Sequence, residues 1–144
     1  MRLLIGCWVA QLVLAQIMPS PWWVPDLMLA GLLVAMSAQP SRWLSFSIAA
    51  GGSHALWAVR APWHVMASYL AVGGLAAFVH ARWDVSDRRM QLLLVGAAGV
   101  LLAGMTCWFE ELWSMPVLGA AAIRVGITVL SALALYHSNH SSAM

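Results

Sequence analysis

Apolar residues in this chain come in long unbroken runs, and the breaks between them are short and punctuated by proline, arginine or paired acids. The runs are continuous rather than alternating, which excludes a barrel. They read as helices over residues 3–18 (closed by Pro19), 24–38 (with Pro25 near its first turn and Gln39-Pro40 as its stop), 42–59, 62–79, 90–109 and 116–137. Proline at the start of the fourth run is no obstacle, because the first N–H of a helix has no intrahelical partner. The pattern predicts an all-α integral membrane protein, a single-domain bundle of about six short transmembrane helices joined by very short loops. Several runs fall below the ~20 residues that a perpendicular helix needs to cross hydrocarbon. Local thinning or burial of helix ends would accommodate them; otherwise the second and third are partly re-entrant.

The sharpest break is Gln16–Leu27, QIMPSPWWVPDL, which holds three of the six prolines, the Trp22–Trp23 pair and Asp26. Proline fixes φ and lacks a donor, so this density ends one helix and starts the next. Paired tryptophans suit a membrane–water boundary, and the stretch reads as an interfacial turn. Trp43, Trp63, Trp83 and Trp113 also fall near predicted helix ends, as an aromatic belt requires, leaving Trp8, Trp57 and Trp108 for packing or partner contact.

Composition sharpens the class. The chain is 62% hydrophobic and 8% charged, with mean hydropathy +0.83, against about 25% charged residues in a soluble domain. All seven basic residues are arginine and the net charge is +2, with no basic cluster to bind nucleic acid. Cys7 and Cys107 lie inside apolar runs and read as small core residues rather than a disulfide or metal pair. Met1-Arg2 followed by Leu3–Ala15 has the form of a secretory leader, expected here to be retained as a signal anchor. With the amino terminus cytoplasmic, Arg2, Arg42, Arg82, Arg88 and Arg89 fall inside and Arg60 outside. Both termini are then cytoplasmic, and the Trp22–Trp23 turn faces outward.

Few residues carry candidate chemistry. Arg124 lies about two turns into the sixth run, where a charge must pair or face water. Glu110 and Glu111, across the preceding turn, are its expected partners in a buried clamp. The functional alternative is a midplane substrate or proton site lined by Arg124, His54 and Glu110, as in a small transporter or substrate-binding membrane subunit. Asp26 at the start of the second run could act as a catalytic carboxylate, but a helix amino terminus attracts an acid by its dipole alone. Five histidines raise a haem alternative with His54 and His64 as ligands, although neutral, hydrogen-bonded histidines inside a bundle are commoner. There is no phosphate loop, zinc-spaced cysteine pair or nucleophile triad, so no cofactor, metal or catalytic residue is expected. Small residues recur four apart at Ala67/Ala71, Gly73/Ala77, Gly99/Ala103 and Ala122/Gly126, a spacing that lets helix backbones approach closely.

The residue order has a counterpart. A first span closing on QIMPSP, a re-entry at PDL, a short second span ending AQPSR, and the arginine-bearing turn ARWDVSDRR resemble the bacterial rod shape-determining MreD family. One stretch departs from it. Where that family carries Asp-Leu and a glycine-containing turn at the end of its third span, this chain reads His54-Ala55-Leu56-Trp57-Ala58-Val59-Arg60-Ala61-Pro62. The family's basic carboxyl tail is also reduced, here to HSNHSSAM. The resemblance implies a non-enzymatic inner-membrane scaffold of the cell-elongation, peptidoglycan-synthesising machinery. Its fold would resemble that of the membrane substrate-binding subunits of vitamin transporters. Besides membrane lipid, the implied partners are a single-span MreC-like protein and, through it, RodA, its transpeptidase and MreB. Trp22, Trp23, Asp26, Trp57, Arg60 and Trp63 are the candidate contact residues.

Overall fold

The computed structural model describes residues 2–19, 24–56, 62–83, 85, 87–109, 111 and 113–141, with side chains omitted at 62 and 138–141. Six α-helices account for nearly all of them: α1 (Arg2–Ile17), α2 (Leu27–Ala38), α3 (Trp43–Ala55), α4 (Pro62–Arg82), α5 (Arg88–Phe109) and α6 (Met115–Ser141), with a 3₁₀ turn over Pro40–Arg42 between α2 and α3. No strand occurs among the described residues. Three stretches are long and apolar enough to cross a membrane: Trp63–Arg82, Arg88–Phe109 and Met115–His137. At 12 and 13 residues, α2 and α3 are only about 18 and 20 Å long at 1.5 Å per residue.

Successive helices run antiparallel. Gly31 of α2 takes Cys7 of α1 so closely that a Cβ there would lie 2.8 Å from its Sγ, and further along Met28 N–H donates to Gln11 Oε1 of α1 at 3.1 Å. Gly51 of α3 sits against Met66 and Tyr69 of α4, and Gly73 of α4 against Ser47 and Trp43 of α3. Gly99 of α5 receives Val125 of α6. Two of the small-residue positions singled out above, Gly73 and Gly99, therefore do seat a neighbouring helix. Ala67, Ala71 and Ala122 are exposed, and a Cβ on Gly126 would meet nothing within 4 Å.

At the centre lies α2. Met28, Leu29, Ala30, Gly31, Leu32, Leu33, Val34 and Met36 are all buried, so the helix is covered on every side, as expected of a helix apolar all round. It runs parallel to the second half of α6: its start bonds to Thr128, and Ser37 near its end bonds to Tyr136. The aromatic end of the bundle, where α4 begins, α5 ends and α6 begins, is tied by Phe109. Its ring stacks on His64 and meets Trp63 edge-on, both at 5.5 Å.

The second helix starts later than the sequence pattern suggests. Val24, Pro25 and Asp26 are buried but not helical, and the first helical residue is Leu27. Asp26 accepts a bond from Leu29 N–H at 3.0 Å, the geometry of an N-cap, whose own backbone lies outside the helix. At its other boundary α3 ends at Ala55, and residues 57–61 of the expected third run lie outside the described set.

Candidate functional site

A helix start leaves four backbone N–H groups without intrahelical acceptors, and burying them unpaired is costly. The start of α2 is buried, and its donors are met. Asp26 N–H donates to Thr128 Oγ1 at 2.8 Å, Leu27 N–H to the Pro25 carbonyl at 2.9 Å, Met28 N–H to Gln11 Oε1, and Leu29 N–H to Asp26 Oδ1. Thr128 passes its own hydroxyl proton to the Arg124 carbonyl at 2.8 Å. The beginning of α2 is thus fixed to α1 and α6 by hydrogen bonds that only one axial position of the helix can make.

The same carboxylate gathers charge. Tyr69 of α4 donates its hydroxyl to Asp26 Oδ1 at 2.7 Å, and His54 Nδ1 of α3 lies 3.0 Å from that hydroxyl and 4.0 Å from Asp26 Oδ1. Because the single Tyr69 proton goes to Asp26, His54 must carry its proton on Nδ1 and donate to Tyr69 Oη. In the neutral imidazole that leaves Nε2 as the acceptor. On the other side Arg124 Nη2 lies 3.8 Å from Asp26 Oδ2, within ion-pair range but beyond hydrogen-bond length. Arg124 Nε is buried without a hydrogen-bond partner among the described residues. Four helices therefore contribute to one cluster: Asp26, His54, Tyr69 and Arg124, with Thr128 and Gln11 behind it.

Its depth follows from the helix numbering. Arg124 and Thr128 lie about 14 and 20 Å along α6, a helix of about 40 Å, and Tyr69 about 10 Å along α4. The cluster therefore sits about a third of the way along α6 and α4, at the level where short α2 begins and short α3 ends.

The described residues place two of the expected groups differently. Arg124 was expected to clamp to Glu110 or Glu111. Its partner is Asp26, while Glu111 is exposed, makes no ion pair among the described residues and occupies the left-handed region at φ 54°. Glu110 lies outside the described residues. The turn that joins α5 to α6 leaves Glu111 near the end of the bundle, whereas Arg124 is several turns down α6. Asp26 was expected as an outward contact residue, yet it is 5% exposed, drawn inward by the donors of α2 and by Tyr69 and Arg124. The other expected contact residues divide. Trp63 is exposed, at the aromatic end, whereas Trp22, Trp23, Trp57 and Arg60 lie outside the described residues.

The two histidines named as haem ligands serve different contacts: His54 bonds to Tyr69, and His64 is buried and stacked on Phe109. Among the described residues no three His, Cys, Asp or Glu side chains converge as metal ligands. Cys7 and Cys107 are both free and buried. No protein-family model, curated protein or solved structure matches the chain.

Sequence reasoning missed Tyr69, Thr128 and Gln11 and did not pair Arg124 with Asp26. The available signal was compositional: Asp26, His54, Tyr69 and Arg124 are titratable side chains in or bordering apolar runs, and such groups seek each other across helices.

Proposed function

We propose that the chain is a six-span inner-membrane protein with both termini cytoplasmic, acting as a non-enzymatic scaffold of the cell-elongation machinery in the manner of the MreD family it resembles. The observation that supports this reading best is the division of labour between inside and outside. Interior polar groups on α1 and α6 bond to the start of the central helix and hold it. The outward surface offers apolar and aromatic residues, Trp63, Trp108 and Trp113 at one end and the open small-residue face of α6 at Gly126. In a bilayer a partner helix would find backbone-close packing on such a face. The full crossing of α1, α2 and α3 belongs to the proposal, since these helices are shorter than the hydrocarbon thickness.

The test is recovery of partners from membranes by a tagged copy. A single-span wall-elongation protein should co-purify, and depletion of the chain should round the cells. Replacing Trp22 and Trp23 together with alanine should weaken that recovery. If no such protein is recovered and depletion leaves rod shape intact, the scaffold reading is wrong.

A second reading, a small transporter or substrate-binding membrane subunit, is favoured by one feature. Charged side chains gather inside the bundle where short α2 begins and short α3 ends, and interrupted helix ends within the membrane are where membrane carriers bind solutes.

A further inference from the structure

The cluster at the start of α2 is not fully matched internally, and the mismatch has a sign. Asp26 uses its oxygens on Leu29 N–H, Tyr69 and Arg124. Its buried surroundings leave little room for more, since only 7% of its side chain is accessible. Arg124 is in the opposite state. Its contact with Asp26 is longer than a hydrogen bond, its Nε is unbonded, and 26% of its side chain is accessible. His54 is 23% accessible at the side chain and has Nε2 beyond its bond to Tyr69. The unused capacity of the cluster is therefore chiefly N–H donors on a cation. The amino-terminal end of α2 adds a partial positive charge of about half a unit. One carboxylate cannot neutralise an arginine and that dipole together.

An arginine at this depth does not present its accessible quarter to lipid; such groups face the bundle interior or a water-filled cavity. From these observations we infer that Arg124 and His54 form a binding site for a small oxyanion, a carboxylate or phosphate group. Arg124 supplies its Nη donors, and His54, next to the other oxygen of the same carboxylate, supplies Nε2 to take the anion's proton or, when protonated, to donate a further hydrogen bond. Asp26 and Tyr69 do not touch the ligand. Asp26 holds the guanidinium in place, and Tyr69 fixes the His54 ring through Nδ1. The inference deepens the second reading by naming the ligand class, and it is independent of partner docking.

Arginine modification tests it on the unaltered protein. In neutral maltoside micelles, phenylglyoxal labelling of Arg124 is followed by mass spectrometry of its peptide, alone and with inorganic phosphate, acetate or phosphatidylglycerol. At ten times its dissociation constant a bound oxyanion should slow labelling of Arg124 about tenfold, leaving Arg42 and Arg82 unaffected. Protection by phosphate or acetate identifies a soluble anion, and protection by phosphatidylglycerol alone identifies a lipid headgroup. His54→Gln should keep the label accessible but weaken protection and remove its dependence on pH. Arg124 labelled equally with and without every probe, or never labelled in the folded protein, overturns the site. Protection without any solute uptake in vesicles would leave the site standing and remove only the transporter reading.

Discussion

Replacing Asp26 by alanine takes away three partners at once: the acceptor of Leu29 N–H, the acceptor of the Tyr69 hydroxyl and the counter-charge of Arg124. Loss of the helix cap costs about 1 kcal/mol. A buried hydroxyl left without its acceptor costs about 1–3 kcal/mol. Stranding a fully buried ion costs about 3–5 kcal/mol, which the 3.8 Å separation and partial exposure of Arg124 reduce to about 1–2 kcal/mol. Together Asp26→Ala should destabilise by about 3–6 kcal/mol, a large part of the ~5–15 kcal/mol that holds a typical domain. Asp26→Asn keeps Oδ1 for Leu29 and Tyr69 but turns the Oδ2 that faces Arg124 into an NH2 donor, so it should cost about 1–2 kcal/mol.

The assay is unfolding in neutral detergent titrated with dodecyl sulfate and followed by tryptophan fluorescence. Asp26→Asn, Arg124→Gln and the double variant form a cycle. The double should fall short of the summed losses by about 1 kcal/mol, because each single change already breaks the pair. If Asp26→Ala unfolds within about 0.5 kcal/mol of the parent, or the cycle is strictly additive, the cluster is not holding α2.

Further changes probe packing, backbone and burial. Gly73→Ala drives a methyl into Ser47 and should cost about 1–3 kcal/mol, while Gly126→Ala, with nothing within 4 Å, should be neutral or stabilising by up to about 1 kcal/mol; the same unfolding titration reads both. Glu111→Gly relieves a left-handed backbone and should stabilise by about 1 kcal/mol, and Glu111→Gln should change stability by less than about 0.5 kcal/mol, unlike Arg124→Gln. Cys7 and Cys107 should resist a soluble maleimide until detergent unfolds the chain, since both are buried.

Helix positions were legible because the interruptions are chemically blunt: Pro19, Gln39-Pro40, Pro62 and the arginine-bearing turn before α5 stop or start helices by local rules. The centrality of α2 was also written in its residues, since LMLAGLLVAM carries no polar face to give to solvent or partner. The cluster was not legible in this way. Tyr69 and Asp26 are 43 residues apart and Asp26 and Thr128 are 102 apart, so their pairing depends on which helices neighbour α2 rather than on spacing. Glu111 was an attractive partner for Arg124 because it is close in sequence. Closeness along the chain says little once a turn and several residues of helix separate two groups by depth. Asp26 could be read as a cap from its position alone, and it is one. Its larger role follows from burial, which no local rule reports.

Why charge is kept inside the bundle can be argued from α2 itself. A helix clothed on all sides by Leu, Val, Met and Ala is held by contacts that change little if it slides or turns among its neighbours. Apolar packing alone would thus leave its axial position weakly specified. Hydrogen bonds from Asp26 to Thr128 of α6 and from Met28 to Gln11 of α1 remove that freedom, because a shift of one residue would orphan both buried donors at once. A buried ion pair often adds little to stability when compared with apolar replacements, so its worth here lies in position. A rigid register matters to both functional readings. It presents the outward faces in one arrangement to a docking partner, and it holds Arg124 and His54 at a constant separation for an anion.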